Sequence, residues 1–290
     1  MREPGSGGLE VERALAAELT CDMARHSIKT KLADGREPIT EEGMKMAVQS
    51  RVGTGTIRET MGQIFSSPRE RTGQSSALRM FADQFKEVDF KGVDPEDIVR
   101  WLETGGLKKI ETPFLNFQGG EGEYNKEFMA EFKAKNLLKW LYEKSEQVAL
   151  DTAQHPDKAT PLPIQAGNVA SFVFGEVWGQ YDRLWKGEAG KATGVDFATS
   201  HQTVLESFLI KVIERKDGSD AAAKFIASVG NEGFIENEGY KLVVAVYDKT
   251  DADAWTATIT YRGKQYVLEP RDLVAIIAEG QALKDKLAEK

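Results

Sequence analysis

The chain has 290 residues, 41% hydrophobic and 29% charged, which supports a folded core and excludes a chain disordered throughout. Lys and Arg number 38 against 46 Asp and Glu, a formal net charge of -8; this excludes coating of nucleic acid by bulk charge but not a small DNA-reading module on an acidic body. A single cysteine, Cys21, excludes an intrachain disulfide.

Taken in chain order, the Gly-rich start (residues 1–8) has no apolar signal core. Leu9, Leu15, Leu19, Met23, Ile28 and Leu32 recur at mostly helical spacing and predict a helix over 9–32, with Cys21 as a core residue inside it. Asp34-Gly35 closes that helix, and Thr40 is a fair N-cap for a short helix to Val48. Gly53-Thr54-Gly55-Thr56 interrupts the chain, and another short helix runs to Phe65. Residues 66–73 are polar and rich in turn formers, which predicts a linker. A helix with Leu78, Phe81 and Phe85 follows, then one opened by Asp94-Pro95-Glu96-Asp97 and closed by Gly105-Gly106.

Residues 110–117 predict a short strand or extended segment, and 126–149 a long helix. Pro156, Pro161 and Pro163 make 155–167 a candidate boundary. An aromatic helix is expected over 169–186, a Gly-rich loop over 187–194, and helices near 203–215 and 219–229. Residues 240–247 are rich in β-branched and aromatic side chains, and Trp255, Ala257, Ile259 and Tyr261 alternate with threonines as in a half-buried strand. Arg262-Gly263-Lys264 supplies a hairpin turn, and Leu273, Ile276, Ile277, Leu283 and Leu287 line a last helix.

These elements predict a mainly α (α+β) chain. A helical module with a helix-turn-helix-like segment spans 1–66, a helical segment spans 67–155, and 156–290 carries helices plus an antiparallel β-meander with a covering helix. With no apolar run near the ~20 residues of a membrane span, a cytoplasmic protein without membrane partners is expected.

Chemical motifs are sparse. His26, His155 and His201 are not spaced as metal-ligand pairs, and Asp251-Ala252-Asp253 lacks the Gly and Glu of a calcium loop, so no metal or other cofactor is expected. No phosphate-binding Gly-rich loop of the P-loop or dinucleotide kind is present. Asp196, His201 and Ser207 lie close in sequence, which says little about triad geometry, while Ser200 and Thr203 suit a helix start. Glu121 and Glu123 sit in a Gly loop poorly suited to acid–base work. No catalytic residue is assigned.

Two features stand out. The first is the order helix, short helix, Gly-containing turn, helix across residues 35–65, the order of a helix-turn-helix. Asp34-Gly35-Arg36-Glu37-Pro38-Ile39-Thr40 and Val52-Gly53-Thr54-Gly55-Thr56 resemble the two conserved elements of the KfrA-family N-terminal DNA-binding domain, found in plasmid and phage regulators, over residues 9–66. The resemblance implies a regulator that binds double-stranded DNA, with Thr54, Gly55 and Thr56 at a phosphate and Arg51 and Arg58 on phosphate or a base edge. An ordinary helical hairpin is the plain alternative. The second feature is the aromatic helix, whose Trp178, Tyr181 and Trp185 would form a self- or partner-binding surface in a structural or assembly protein, such as a virion component, or else simply core. An enzyme of unfamiliar design is the third class.

Overall fold

The computed structural model describes residues 15–50, 63–104, 109–177, 179, 192–248, 250–251 and 253–290. Seven strands are present among them: β1 (Ala17–Arg25), β2 (Ile64–Ser66), β3 (Lys109–Glu111), β4 (Ala192–Ser200), β5 (Gly239–Val246), β6 (Trp255–Tyr261) and β7 (Lys264–Leu268). They form one mixed sheet in the order β3-β2-β4-β1-β5-β6-β7. The first four in that order run parallel, and β5 to β7 run antiparallel from β1 outward.

Helices cover both faces. On one lie α1 (Glu41–Gln49), α2 (Glu70–Met80), α3 (Ala82–Phe85) and α4 (Pro95–Thr104). On the other lie α5 (Gly122–Lys133), α6 (Leu137–Glu143), α7 (Ser145–Asp151), α8 (Leu162–Ser171), α9 (Val204–Asp217), α10 (Ser219–Val229) and α11 (Pro270–Ala288). Strand alternation divides the two cores. Ile64 and Phe197 pack with α1, α2 and α4, while the next residue of each strand, Phe65 and Ala198, packs on the opposite side. At β5 and β6 burial alternates residue by residue, so this antiparallel part keeps one face toward water.

The chain is therefore mixed α/β, not mainly α with a separate meander. The three strands at its C-terminal end belong to the same seven-stranded sheet that holds β1. The last helix, α11, lies against α8, where Gly167 and Gly280 meet back to back: a Cβ on Gly280 would stand 2.8 Å from the Pro163 carbonyl oxygen and 3.2 Å from Gly167 Cα.

The helix expected over 9–32 is replaced by β1. Leu15, Leu19 and Met23 are four apart, which suits one face of a helix and equally one face of a strand. Ala17, Leu19, Cys21 and Met23 share one core face, the residues between them are largely buried as well, and pairing with β4 on one side and β5 on the other makes this a central strand. The KfrA-like reading loses its first helix with this; residues 51–62, which carry its Gly-containing turn and most of its last helix, lie outside the described residues.

The linker expected over 66–73 is instead the end of β2 and the start of α2. This helix is buried along nearly its whole length although it carries Arg71, Thr72, Gln74, Ser75, Ser76 and Arg79. Each of these side chains has a specific partner; for three of them, the Ser75 hydroxyl accepts from Ser27 N at 3.0 Å, Gln74 Oε1 accepts from Ile39 N at 3.0 Å, and Ser76 Oγ donates to the Phe65 carbonyl at 3.0 Å. The long helix expected over 126–149 breaks into α5, α6 and α7, with Lys135 in the left-handed region at φ 58°. The aromatic helix is interrupted where α8 passes into a π turn (Phe172–Val177).

Candidate active site

Two histidines stand at the centre of the sheet's carboxyl edge. His26 is the first residue past β1, and His201 the first past β4. These strands are adjacent and parallel, with Arg25 opposite Ser200, and His26 N donates to the Ser200 carbonyl at 2.9 Å. The two imidazoles meet edge to face with centroids 5.4 Å apart. From here β1 leads toward β2, across β4, and β4 leads toward β5, across β1. Such a reversal of winding opens a crevice beyond the strand ends, the usual ligand position in α/β sheets.

The loops are rigidly tied. Ser27 Oγ donates to the Gly43 carbonyl at 2.6 Å and accepts from Asn237 Nδ2 at 2.9 Å. Gly43 allows this approach, since a Cβ there would stand 2.4 Å from the Ile28 carbonyl oxygen. After His201, Thr203 adopts φ 73°, a conformation unfavourable for a β-branched residue. Its hydroxyl and that of Ser207 both donate to Gln165 Oε1 at 3.1 Å, which fixes the turn into α9.

The crevice has a volume of about 330 Å³. Its floor is Arg25, His26, Arg71 and His201; its wall is Phe117, Phe128, Met129, Phe132 and Leu137; Lys29, Gln202 and Glu236 complete it. Three cations thus face one carboxylate, a local positive site in a protein of net charge -8. Arg25 Nη2 donates to Glu236 at 3.0 Å, and Arg71 is paired with Glu37, which Lys29 also contacts at 2.6 Å.

Hydrogen bonding sets both tautomers. His26 Nδ1 lies 2.7 Å from the Ser27 carbonyl, which can only accept, so Nδ1 carries the proton. Burial lowers the His26 pKa to about 3, with Arg71 and Arg25 acting in the same direction against that hydrogen bond. The ring is therefore neutral, and Nε2 keeps its lone pair. In His201 the roles are reversed. Its Nδ1 accepts from Arg71 Nη2 at 3.3 Å, so Nε2 carries the proton and donates to Ser67 Oγ at 2.7 Å. Burial, the neighbouring His26 and Arg71 hold His201 well below the ordinary histidine range.

Behind the floor, Glu206 is fully buried on α9 and accepts from Phe234 N at 2.7 Å. The Phe234 carbonyl in turn accepts from Arg25, so Glu206 and the guanidinium grip the backbone of the same residue from its two sides. Burial raises the Glu206 pKa to about 7. A carboxyl raised from 4.5 to about 7 on folding contributes stability that is fully present below pH 4.5 and is lost as pH rises through 7. Glu206→Gln keeps an acceptor for Phe234 N and removes the charge. Between pH 5 and pH 8 it should lose less stability than the wild type by on the order of 3 kcal/mol. Urea unfolding at both pH values measures this; equal losses in the two proteins would place the titration elsewhere.

Among the described residues no group of three or more His, Cys, Asp or Glu is arranged to hold a metal ion, and no helix is long and apolar enough to cross a membrane. Arg51, Thr54, Gly55, Thr56 and Arg58, and likewise Trp178, Tyr181 and Trp185, lie outside the described residues. The sequence offers Arg71, with Arg69, only as a residue tracking a DNA backbone and His201 only as a weak triad candidate, and it gives Arg25 and His26 no role. Two of the three histidines directly follow strands of the sheet, a position that the sequence alone does not reveal.

No family model matches the chain, and no curated protein matches it. Among solved structures it is similar to mycobacterial hydrolase 1, with TM-score 0.43 and 13% identity over 86% of this chain and 99% of that one. It is similar to a mycobacterial glucosyl-3-phosphoglycerate phosphatase, with TM-score 0.42 and 14% identity over 84% and 97%. A phosphoglycerate mutase from Plasmodium falciparum aligns with TM-score 0.31 and 12% identity over 87% and 89%. With β1 in place of the first predicted helix, the regulator and assembly readings give way to a mixed α/β protein whose crevice is lined by Arg25, Lys29 and Arg71.

Proposed function

We propose that the chain is a phosphohydrolase that transfers the phosphoryl group of a phosphomonoester to His26 and then to water. The observation that carries this reading is the state of His26: a neutral imidazole, its Nδ1–H bound to the Ser27 carbonyl, its Nε2 lone pair unprotonated, set on a floor with two guanidiniums. Neutral imidazole is a strong nucleophile, and guanidiniums match the equatorial oxygens of a phosphoryl group in transfer.

In the first step His26 Nε2 forms a bond to phosphorus and the bond to the ester oxygen breaks, its electron pair leaving on that oxygen, which solvent protonates after release. Arg25 and Arg71 neutralise the charge on the phosphoryl oxygens. His201 positions Arg71 through the hydrogen bond at its Nδ1. In the second step a water oxygen bonds to phosphorus, the N–P pair returns to Nε2, and the water proton passes to phosphate or solvent. Arg71→Ala removes one of the two guanidiniums and should lower kcat/KM for p-nitrophenyl phosphate by about 100-fold or more. Steady-state phosphate release tests it; wild-type protein that releases no phosphate, or an Arg71→Ala protein as active as wild type, would defeat the reading.

A further inference from the structure

We propose that the phosphomonoester taken by this site is an aryl ester, the phosphate of a small aromatic alcohol. The proposal rests on the phosphohistidine reading and adds the identity of the leaving group. Two independent features point to it.

The first is the wall. From His26 a file of rings runs outward: His26 to His201 at 5.4 Å between centroids, His201 to Phe117 at 5.9 Å, Phe117 to Phe128 at 5.9 Å. Beyond Phe128 the same helix, α5, presents Met129 and Phe132 at the mouth, 38% and 46% exposed. An apolar ring attached to a phosphate on the floor would lie along this file, covering side chains that otherwise face water. The volume of about 330 Å³ is at the small end for ligand cavities, enough for one or two fused rings beside the phosphate.

The second is the carboxylates at the mouth. Among the described residues lining the crevice and its adjoining rim these are Glu236 and Glu37. Glu236 accepts from Arg25, and Glu37 accepts from Lys29 and Arg71; the Lys29 ammonium in particular holds the Glu37 carboxyl below its ordinary range. Both carboxylates are taken up as acceptors by these cations, so neither is placed to give a proton to a departing oxygen. A phenolate, whose conjugate acid has a pKa of about 10, departs without one. The alkoxide of a sugar or glycerol, with a conjugate acid much closer to water at about 15.7, needs one. In the transfer, the N–P bond forms as the aryl O–P bond breaks, the electron pair leaves on the phenolate oxygen, and solvent protonates it after release.

The test measures phosphate release from a series of substituted phenyl phosphates, 1-naphthyl phosphate and glycerol 3-phosphate, with His26 labelling by each followed in parallel. The expected result is kcat/KM at least about 100-fold higher for phenyl phosphate than for glycerol 3-phosphate, the span a general acid would otherwise supply, falling steadily as the phenol pKa rises. Phe132→Ala and Met129→Ala should each raise KM for 1-naphthyl phosphate by about 10-fold, as expected when a ring loses an apolar partner. Glycerol 3-phosphate cleaved within 10-fold of phenyl phosphate, with His26 labelled, would overturn the aryl assignment and leave the phosphohistidine reading standing. An unchanged KM in both variants would overturn the role of the wall. If no ester labels His26 or releases phosphate, the phosphohistidine reading itself fails and the aryl assignment with it.

Discussion

His26→Ala should lower phosphomonoester turnover by about 10⁴-fold or more, the scale seen when a covalent nucleophile is removed from an otherwise intact site. The fold should survive, because the ring contributes one hydrogen bond, to the Ser27 carbonyl, while His26 N still donates to Ser200 in any variant. Steady-state phosphate release and a urea melt on the same preparation separate loss of chemistry from loss of structure. The pH profile of the wild type carries the same information. The nucleophile must be neutral, and its pKa is about 3. After correction for the substrate's own ionisation near pH 6, kcat/KM should show no loss attributable to His26 from pH 8 down to about pH 4. A profile that falls on a group titrating between pH 6 and 7 would mean that the buried, carbonyl-tethered ring is not the nucleophile.

The largest expected effect on stability is at the other end of the same strand and helix. Asp22 on β1 and Arg79 on α2 form a bidentate pair, both bonds 2.8 Å, with side chains 0% and 1% exposed. Arg79 also donates to the Ser50 carbonyl and hydroxyl and to the Asn237 carbonyl. This one guanidinium therefore ties together β1, the end of α1 and the loop before β5. Asp22→Ala leaves it buried without its counter-charge and should cost about 3–5 kcal/mol. Replacing both partners with apolar residues of similar volume should cost far less, since no buried charge remains. Urea unfolding of the single and double variants decides. A single variant within 1 kcal/mol of wild type would show that the other acceptors of Arg79 suffice.

How legible this was in the sequence depends on the element. Where local chemistry is decisive, the chain can be read directly: Thr40 accepts from Gly43 N at the start of α1, and Asp94 accepts from Glu96 N just before α4. The central strands are another matter. β1 carries Glu18, Thr20 and Asp22 among its apolar residues, and β4 is built of Thr, Gly, Asp, Ala and Ser around Val195 and Phe197. Both are compatible with helix or loop until the partners that bury Asp22 and Asp196 are known. The polar run opening α2 reads as solvated because its hydrogen-bond partners, Ser27 N, Ile39 N and the Phe65 carbonyl, lie on other elements. The site failed to appear for the same reason. Arg25 with His26, Arg71, and His201 come from three distant segments, and only the parallel pairing of β1 with β4 brings the two histidines together. A search for metal-ligand or triad spacing cannot register a pair defined by strand ends.

The most direct measurement is to quench the wild-type protein during turnover of ³²P-labelled phenyl phosphate, at alkaline pH to preserve an N–P bond, and to map the label by peptide mass spectrometry. Label on His26 that is stable to base, lost in acid and absent from the His26→Ala protein is the predicted result. Phosphate release with no label on His26, or with label on another residue, would contradict the phosphohistidine mechanism.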